Sequence, residues 1–102
     1  MNVRLETWEI EKIIESFAEY FEENDHLWLF GSRLHFNKRG GDIDLYIEVQ
    51  HYEAQHVLKA KNCFWHKLQE QLGEQKIDIV IRDPNQALFI CHVARREGVR
   101  LI

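Results

Sequence analysis

The run Phe30-Gly31-Ser32-Arg33, followed after eight residues by Asp42-Ile43-Asp44-Leu45, holds the residue types in this chain that do chemistry. Aspartates at i and i+2 of a strand project from one face, with their backbones about 7 Å apart. Bare carboxylates that close repel one another, a cost that a cation between them removes. Just upstream, Gly31 and Ser32 put a bare backbone and a hydroxyl where a strand ends, which suits a phosphate. Hard carboxylate oxygens beside a phosphate site point to Mg²⁺ and a nucleoside triphosphate. A third aspartate, Asp78, stands between Ile77 and Ile79.

These residues need elements to position them. Ile10, Ile13, Ile14, Phe17 and Phe21 recur at helical spacing and predict an amphipathic helix over residues 5–23, ended by Glu22-Glu23-Asn24-Asp25. The aromatic-rich apolar run His26–Phe30 reads as a buried strand. Gly31 breaks it, and Ser32 can cap a short helical turn. Residues 34–41 form a basic loop closed by Gly40 and Gly41. Polar and apolar residues alternate over residues 42–49, the second strand. Val57, Leu58, Phe64, Trp65, Leu68 and Leu72 describe a helix over residues 53–72, stopped by Gly73. Residues 76–81 make a third strand; after Pro84, residues 85–97 read as a last helix with Gly98 past its end.

The order α-β-(turn)-β-α-β-α predicts an α/β (α+β) fold, a mixed sheet flanked by helices. A helical crossover between strands two and three sets them parallel. Asp42 and Asp44 near the start of one and Asp78 near the start of the other then meet at the same end of the sheet.

A chain of 102 residues is one domain, residues 1–102, with room for one core and none for a separate acceptor-binding domain. Its net charge of −4 argues against broad nucleic-acid binding, which depends on clustered Lys and Arg. No apolar run approaches the roughly 20 residues that cross a bilayer, and the first residues lack the basic and apolar regions of a signal peptide. Cys63 and Cys91 show no C-x-x-C spacing, so buried free thiols in a reducing cytoplasm are expected.

Rival readings narrow the chemistry. An EF-hand is excluded, because Tyr46 and Ile47 stand where oxygen ligands and Gly belong. No Gly-Lys-Ser/Thr follows Gly31, so a Walker phosphate loop is excluded too. Asp42 alone is compatible with capping the turn after Gly40 and Gly41. Asp44 and Asp78 lie within strands among apolar residues, where aspartate is depleted and a buried charge needs a counter-ion. Arg33 fits a structural ion pair, and Lys38 and Arg39 fit a solvated loop or one that swings onto a triphosphate. The histidines show no metal-ligand spacing, and Trp8, Trp28 and Trp65 read as core.

The pattern of an apolar residue, Gly and Ser, then Asp-x-Asp on the next strand and a third Asp on a later one, resembles the nucleotidyltransferase superfamily that shares its catalytic core with DNA polymerase β. Phe30-Gly31-Ser32, Asp42-Ile43-Asp44-Leu45 and Ile77-Asp78-Ile79 fill its slots, and Gly-Ser-Arg with the short length looks like the minimal nucleotidyltransferases of bacteria and archaea. Leu34-His35-Phe36 departs from the small residues usual there, and a Gly pair precedes Asp42 where Ser is frequent. The resemblance implies that Asp42, Asp44 and Asp78 are catalytic and hold two Mg²⁺ ions. Gly31, Ser32 and Arg33 then bind the triphosphate, and AMP passes from ATP to an acceptor hydroxyl. It further implies a HEPN-domain partner protein, a toxin adenylylated on a tyrosine, with this chain as the antitoxin; a homo-oligomer is also open. The alternative is a non-catalytic nucleotide-binding or steric interaction module. Transfer to tRNA or an aminoglycoside fits less well, given the acidic charge and the lack of an acceptor pocket in the sequence.

Overall fold

The periodic apolar residues at the start of the chain form helix α1 (Thr7–Tyr20), shorter at both ends than the pattern predicts. The computed structural model describes residues 5–30, 43–84 and 96–102. The Glu6 backbone N–H donates to Glu9 Oε1 at 2.9 Å, satisfying one of the orphan donors of the first turn. Phe21, extended at φ −121° and ψ 166°, ends the helix. The turn beyond it is organised by Asp25, which is 3% exposed. Its two carboxylate oxygens accept from the backbone N–H of Glu22 at 2.8 Å and of Gln50 at 2.7 Å, tying the exit of the helix to the chain after the second strand. Asp25→Ala should therefore cost about 3 kcal/mol, two charge-assisted hydrogen bonds at about 1.5 kcal/mol each. Urea denaturation measures it, and a loss below about 0.5 kcal/mol would show the turn to be held by packing alone.

Strands β1 (His26–Phe30), β2 (Ile43–Glu48), β3 (Ile77–Ile81) and β4 (Val99–Arg100) form one mixed sheet in the order β3-β2-β1-β4. The β1–β2 and β1–β4 pairs are antiparallel, and β2–β3 is parallel as the crossover predicts. Strand β4 has no counterpart in the sequence reading, which ends the chain with a helix. Two residues are too few to show a period, and only pairing creates the strand: Leu101 N–H donates to Leu27 O at 2.8 Å, and Leu27 N–H to Ile102 O at 3.2 Å. Arg96 and Glu97 are helical, as expected of the end of that helix, and residues 85–95 lie outside the described residues.

Helix α2 (Ala54–Leu72) begins where the Glu53 carboxylate caps the backbone N–H groups of Gln55 and His56, at 3.2 and 2.8 Å. It ends at Gly73, whose φ of +83° with ψ of 172° is a conformation that only glycine adopts without strain. Val57, Ala60, Phe64, Leu68 and Leu72 are its buried stripe. Leu58 and Trp65, assigned to that stripe from sequence, lie beside it at 58% and 37% exposure, and Trp8 on α1 is 51% exposed. Large apolar residues one position off a buried stripe fit the period loosely, and only packing decides which of them enters the core.

Both helices cover one face of the sheet. Ile13 and Phe17 of α1 and Phe64 and Leu68 of α2 pack on Leu27, Leu29, Leu45, Ile47 and Ile79. Three phenylalanines lock the helices together: Phe17 stacks on Phe21 at 4.6 Å, and Phe64 meets both edge-on at 5.9 and 5.6 Å. Cys63 is free and half-buried rather than buried, and Cys91 lies outside the described residues. Among the described residues no helix is long and apolar enough to cross a membrane.

Candidate active site

The opposite face of the sheet carries the polar residues of the strands. Period-two alternation sends Ile43, Leu45 and Ile47 toward the helices and Asp44, Tyr46 and Glu48 away from them. The register then assembles transverse rows. Phe30 pairs with Asp44 across β1 and β2, and Asp44 pairs with Asp78 across β2 and β3. Neighbouring strands run about 5 Å apart, so two carboxylates from distant parts of the sequence share a face at that spacing. Residues 44 and 78 meet because the β2–β3 pair is parallel and starts with Ile43 opposite Ile77.

The next row is apolar. Trp28, Tyr46 and Val80 are register partners, Trp28 is 7% exposed and Tyr46 fully buried. Their rings lie 5.4 Å apart, and the Tyr46 hydroxyl donates to Glu48 Oε2 at 2.6 Å. The Arg100 guanidinium sits 5.9 Å from the centre of the Trp28 ring. This floor gives the acidic row a rigid flank. Strand alternation alone puts Tyr46 on the face of Asp44, although the sequence reading singled out no such flank.

Exposure corrects one step of the sequence argument. Asp44 is half-buried, but Asp78 is exposed, not a charge buried among apolar residues. Two unit charges about 5 Å apart repel by only about 1 kcal/mol in water, so repulsion and burial alone do not demand a cation here. What singles the pair out is its register on one face, since carboxylates placed side by side across neighbouring strands are unfavourable without a function. The donor set suits Mg²⁺, a hard ion bound by one or two carboxylates together with substrate phosphates.

Gly31, Ser32, Arg33 and Asp42 lie outside the described residues, as do His35, Lys38 and Arg39. Among the described residues no cluster of three His, Cys, Asp or Glu side chains could hold a metal ion; the expected triad has its third member at Asp42.

A hollow of about 530 Å³ adjoins Asp78, lined by Lys61, Asn62 and Trp65 of α2 and by residues 77–80 of β3. A second of about 530 Å³ is lined by Trp65, Gln69 and residues 74–76. The exposed Trp65 is common to both. Helical period alone places Trp65 in the core and carries no mark of this groove.

A search of the curated proteins finds no match to the chain. The family described as "Polymerase beta, Nucleotidyltransferase" matches residues 11–102, a span that includes the Gly31-Ser32, Asp42-x-Asp44 and Asp78 positions and all four strands. A match over nearly the whole chain, on a fold whose register pairs Asp44 with Asp78, makes this chain a member of the polymerase beta nucleotidyltransferase family.

Proposed function

We propose that the chain transfers AMP from ATP to a tyrosine hydroxyl of a HEPN-domain partner in the cytoplasm, and that this modification neutralises the partner as a toxin. The observation that supports the transfer most directly is the parallel register of Asp44 and Asp78 on one face, in a chain of the nucleotidyltransferase family. Among the described residues the elements form one sheet and two covering helices, which leaves the acceptor hydroxyl to be presented by a second chain in this reading.

Asp44 and Asp78, with Asp42, would hold Mg²⁺. Such an ion supplies Lewis-acid stabilisation of charge on the phosphoryl oxygens and a template that aligns the attacking and leaving oxygens. The chain's own contributions are positional. Asp44 is held by a strand hydrogen-bonded on both sides, so its carboxylate has a fixed origin. The Trp28–Tyr46 floor keeps that origin from shifting. Gly31 and Ser32 are the positions for the phosphates, through a backbone without a Cβ and a hydroxyl donor, and Arg33 adds a cation.

In the transfer, the acceptor oxygen forms a bond to the α-phosphorus while the bond from that phosphorus to the bridging oxygen of the β-phosphate breaks. Pyrophosphate departs, and the acceptor's proton passes to the exposed Asp78 carboxylate.

Incubation of the chain with α-labelled ATP, Mg²⁺ and the HEPN protein encoded beside it should label that protein and add the mass of one AMP to a tyrosine. Neutralisation of the partner with no label and no added mass would replace this reading with a steric one.

A further inference from the structure

Strand β3 is an edge of the sheet, and its backbone groups fall into two sets. Ile43 N–H donates to Lys76 O at 2.9 Å, and Arg82 N–H donates to Ile47 O at 3.0 Å. In a parallel ladder alternate residues turn toward the partner, so residues 76, 78, 80 and 82 face β2. The N–H and C=O groups of Ile77, Ile79 and Ile81 therefore point outward, with no partner among the described residues. An open edge of this kind is a template for another strand.

The two hollows at Trp65 run beside this edge, between β3 and α2. An exposed Trp in a groove is a typical anchor point for a protein partner. Lys61 and Lys76 line the groove together with the carboxylates of Glu74 and Asp78, so its lining carries both signs of charge. A row of alternating donors and acceptors at strand spacing is matched by extended polypeptide.

We propose that the outer edge of β3, open among the described residues, seats the acceptor: an extended segment of a protein substrate pairs antiparallel with Ile77, Ile79 and Ile81 and presents a tyrosine opposite Asp78. The proposal rests on the reading of the chain as a nucleotidyltransferase with a protein acceptor, and it names how that acceptor is held. Asp78 then occupies a non-hydrogen-bonded pair, where facing Cα atoms approach to about 4.5 Å. The side chain opposite it stands on the face that carries Asp44 and Asp78, with its hydroxyl beside the carboxylates. The residues before and after that tyrosine project to the other face, alongside Trp65. The acceptor motif is thus a tyrosine between apolar residues, read by the groove on one side and by the carboxylates on the other.

The test uses the full chain, labelled with ¹⁵N, and the capped heptapeptide Glu-Thr-Val-Tyr-Val-Thr-Glu with Mg²⁺ and a non-hydrolysable ATP analogue. At saturation, hydrogen exchange at the amides of Ile77, Ile79 and Ile81 should slow at least about tenfold. Trp65→Ala should weaken peptide binding about tenfold. N-methylation of both peptide valines, whose amides face β3, should weaken it about a hundredfold, whereas N-methylation of the tyrosine, whose amide faces away, should leave it nearly unchanged. Unaltered exchange at the three amides, or equal binding of the two methylated peptides, overturns the proposal even if a partner protein becomes labelled. Slowed exchange with no AMP on the tyrosine, once ATP replaces the analogue, supports the seat and counts instead against the proposed reaction.

Discussion

Asp44→Asn and Asp78→Asn should each lower nucleotidyl transfer about a thousandfold, the equivalent of about 4 kcal/mol of transition-state stabilisation lost with a metal's charge compensation. Asn keeps the shape of Asp but offers one neutral oxygen in place of two anionic ones. Asp78 is exposed, so its replacement should change stability by less than about 0.5 kcal/mol, and loss of activity with an unchanged melting temperature separates chemistry from folding. Calorimetry with Mg²⁺ and a non-hydrolysable ATP analogue gives a readout independent of turnover, in which both variants should bind the pair more weakly than the wild type. Variants that transfer the nucleotidyl group at the wild-type rate would show that the paired carboxylates are not the reacting site.

The largest expected effect on stability is that of Phe64→Ala. Phe64 is fully buried and lies edge-on to both Phe17 and Phe21, so that three aromatic rings join α2 to α1 and its exit. Truncating a buried Phe costs about 3–5 kcal/mol, and each aromatic pair adds about 1 kcal/mol beyond its area. A loss of about 4 kcal/mol is a large part of the roughly 5–15 kcal/mol that holds a domain of this size, and it corresponds to a fall in Tm of roughly 20 °C. Leu58→Ala is the control on the same helix: 58% exposed, it should shift stability by no more than about 0.5 kcal/mol. Thermal unfolding followed by circular dichroism checks both. Equal effects of the two substitutions would mean that the Phe17–Phe21–Phe64 cluster contributes nothing special to helix docking.

The paired aspartates illustrate what was legible before any coordinates. The second strand and the helix after it are written in local periodicity, period two and then period 3.6, and local periodicity survives in a single sequence. Hence β1 begins and ends where the aromatic run does, and α2 falls within a residue of its expected start and stops at Gly73. Where a terminus depends on a distant partner the reading slipped. Helix α1 ends early because Phe21 is extended and Asp25 reaches over to Gln50 N–H, a bond no neighbour in sequence announces.

Composition and spacing by themselves determined the alternation of helices and strands, the parallel crossover between β2 and β3, and the presence of aspartates at the start of each. These follow from short-range sterics and from burying one stripe per element, rules that act within a turn or two of chain. The tertiary structure alone decided the rest. It set Asp44 opposite Asp78 rather than one residue out of step, a slip that would have sent one carboxylate to the helix side. It also created β4 from two residues by pairing them with β1, and it left Trp65 and Asp78 exposed where the pattern suggested burial. Register and exposure are set by which surfaces meet, and two segments 34 positions apart, such as those of Asp44 and Asp78, carry no local mark of their meeting.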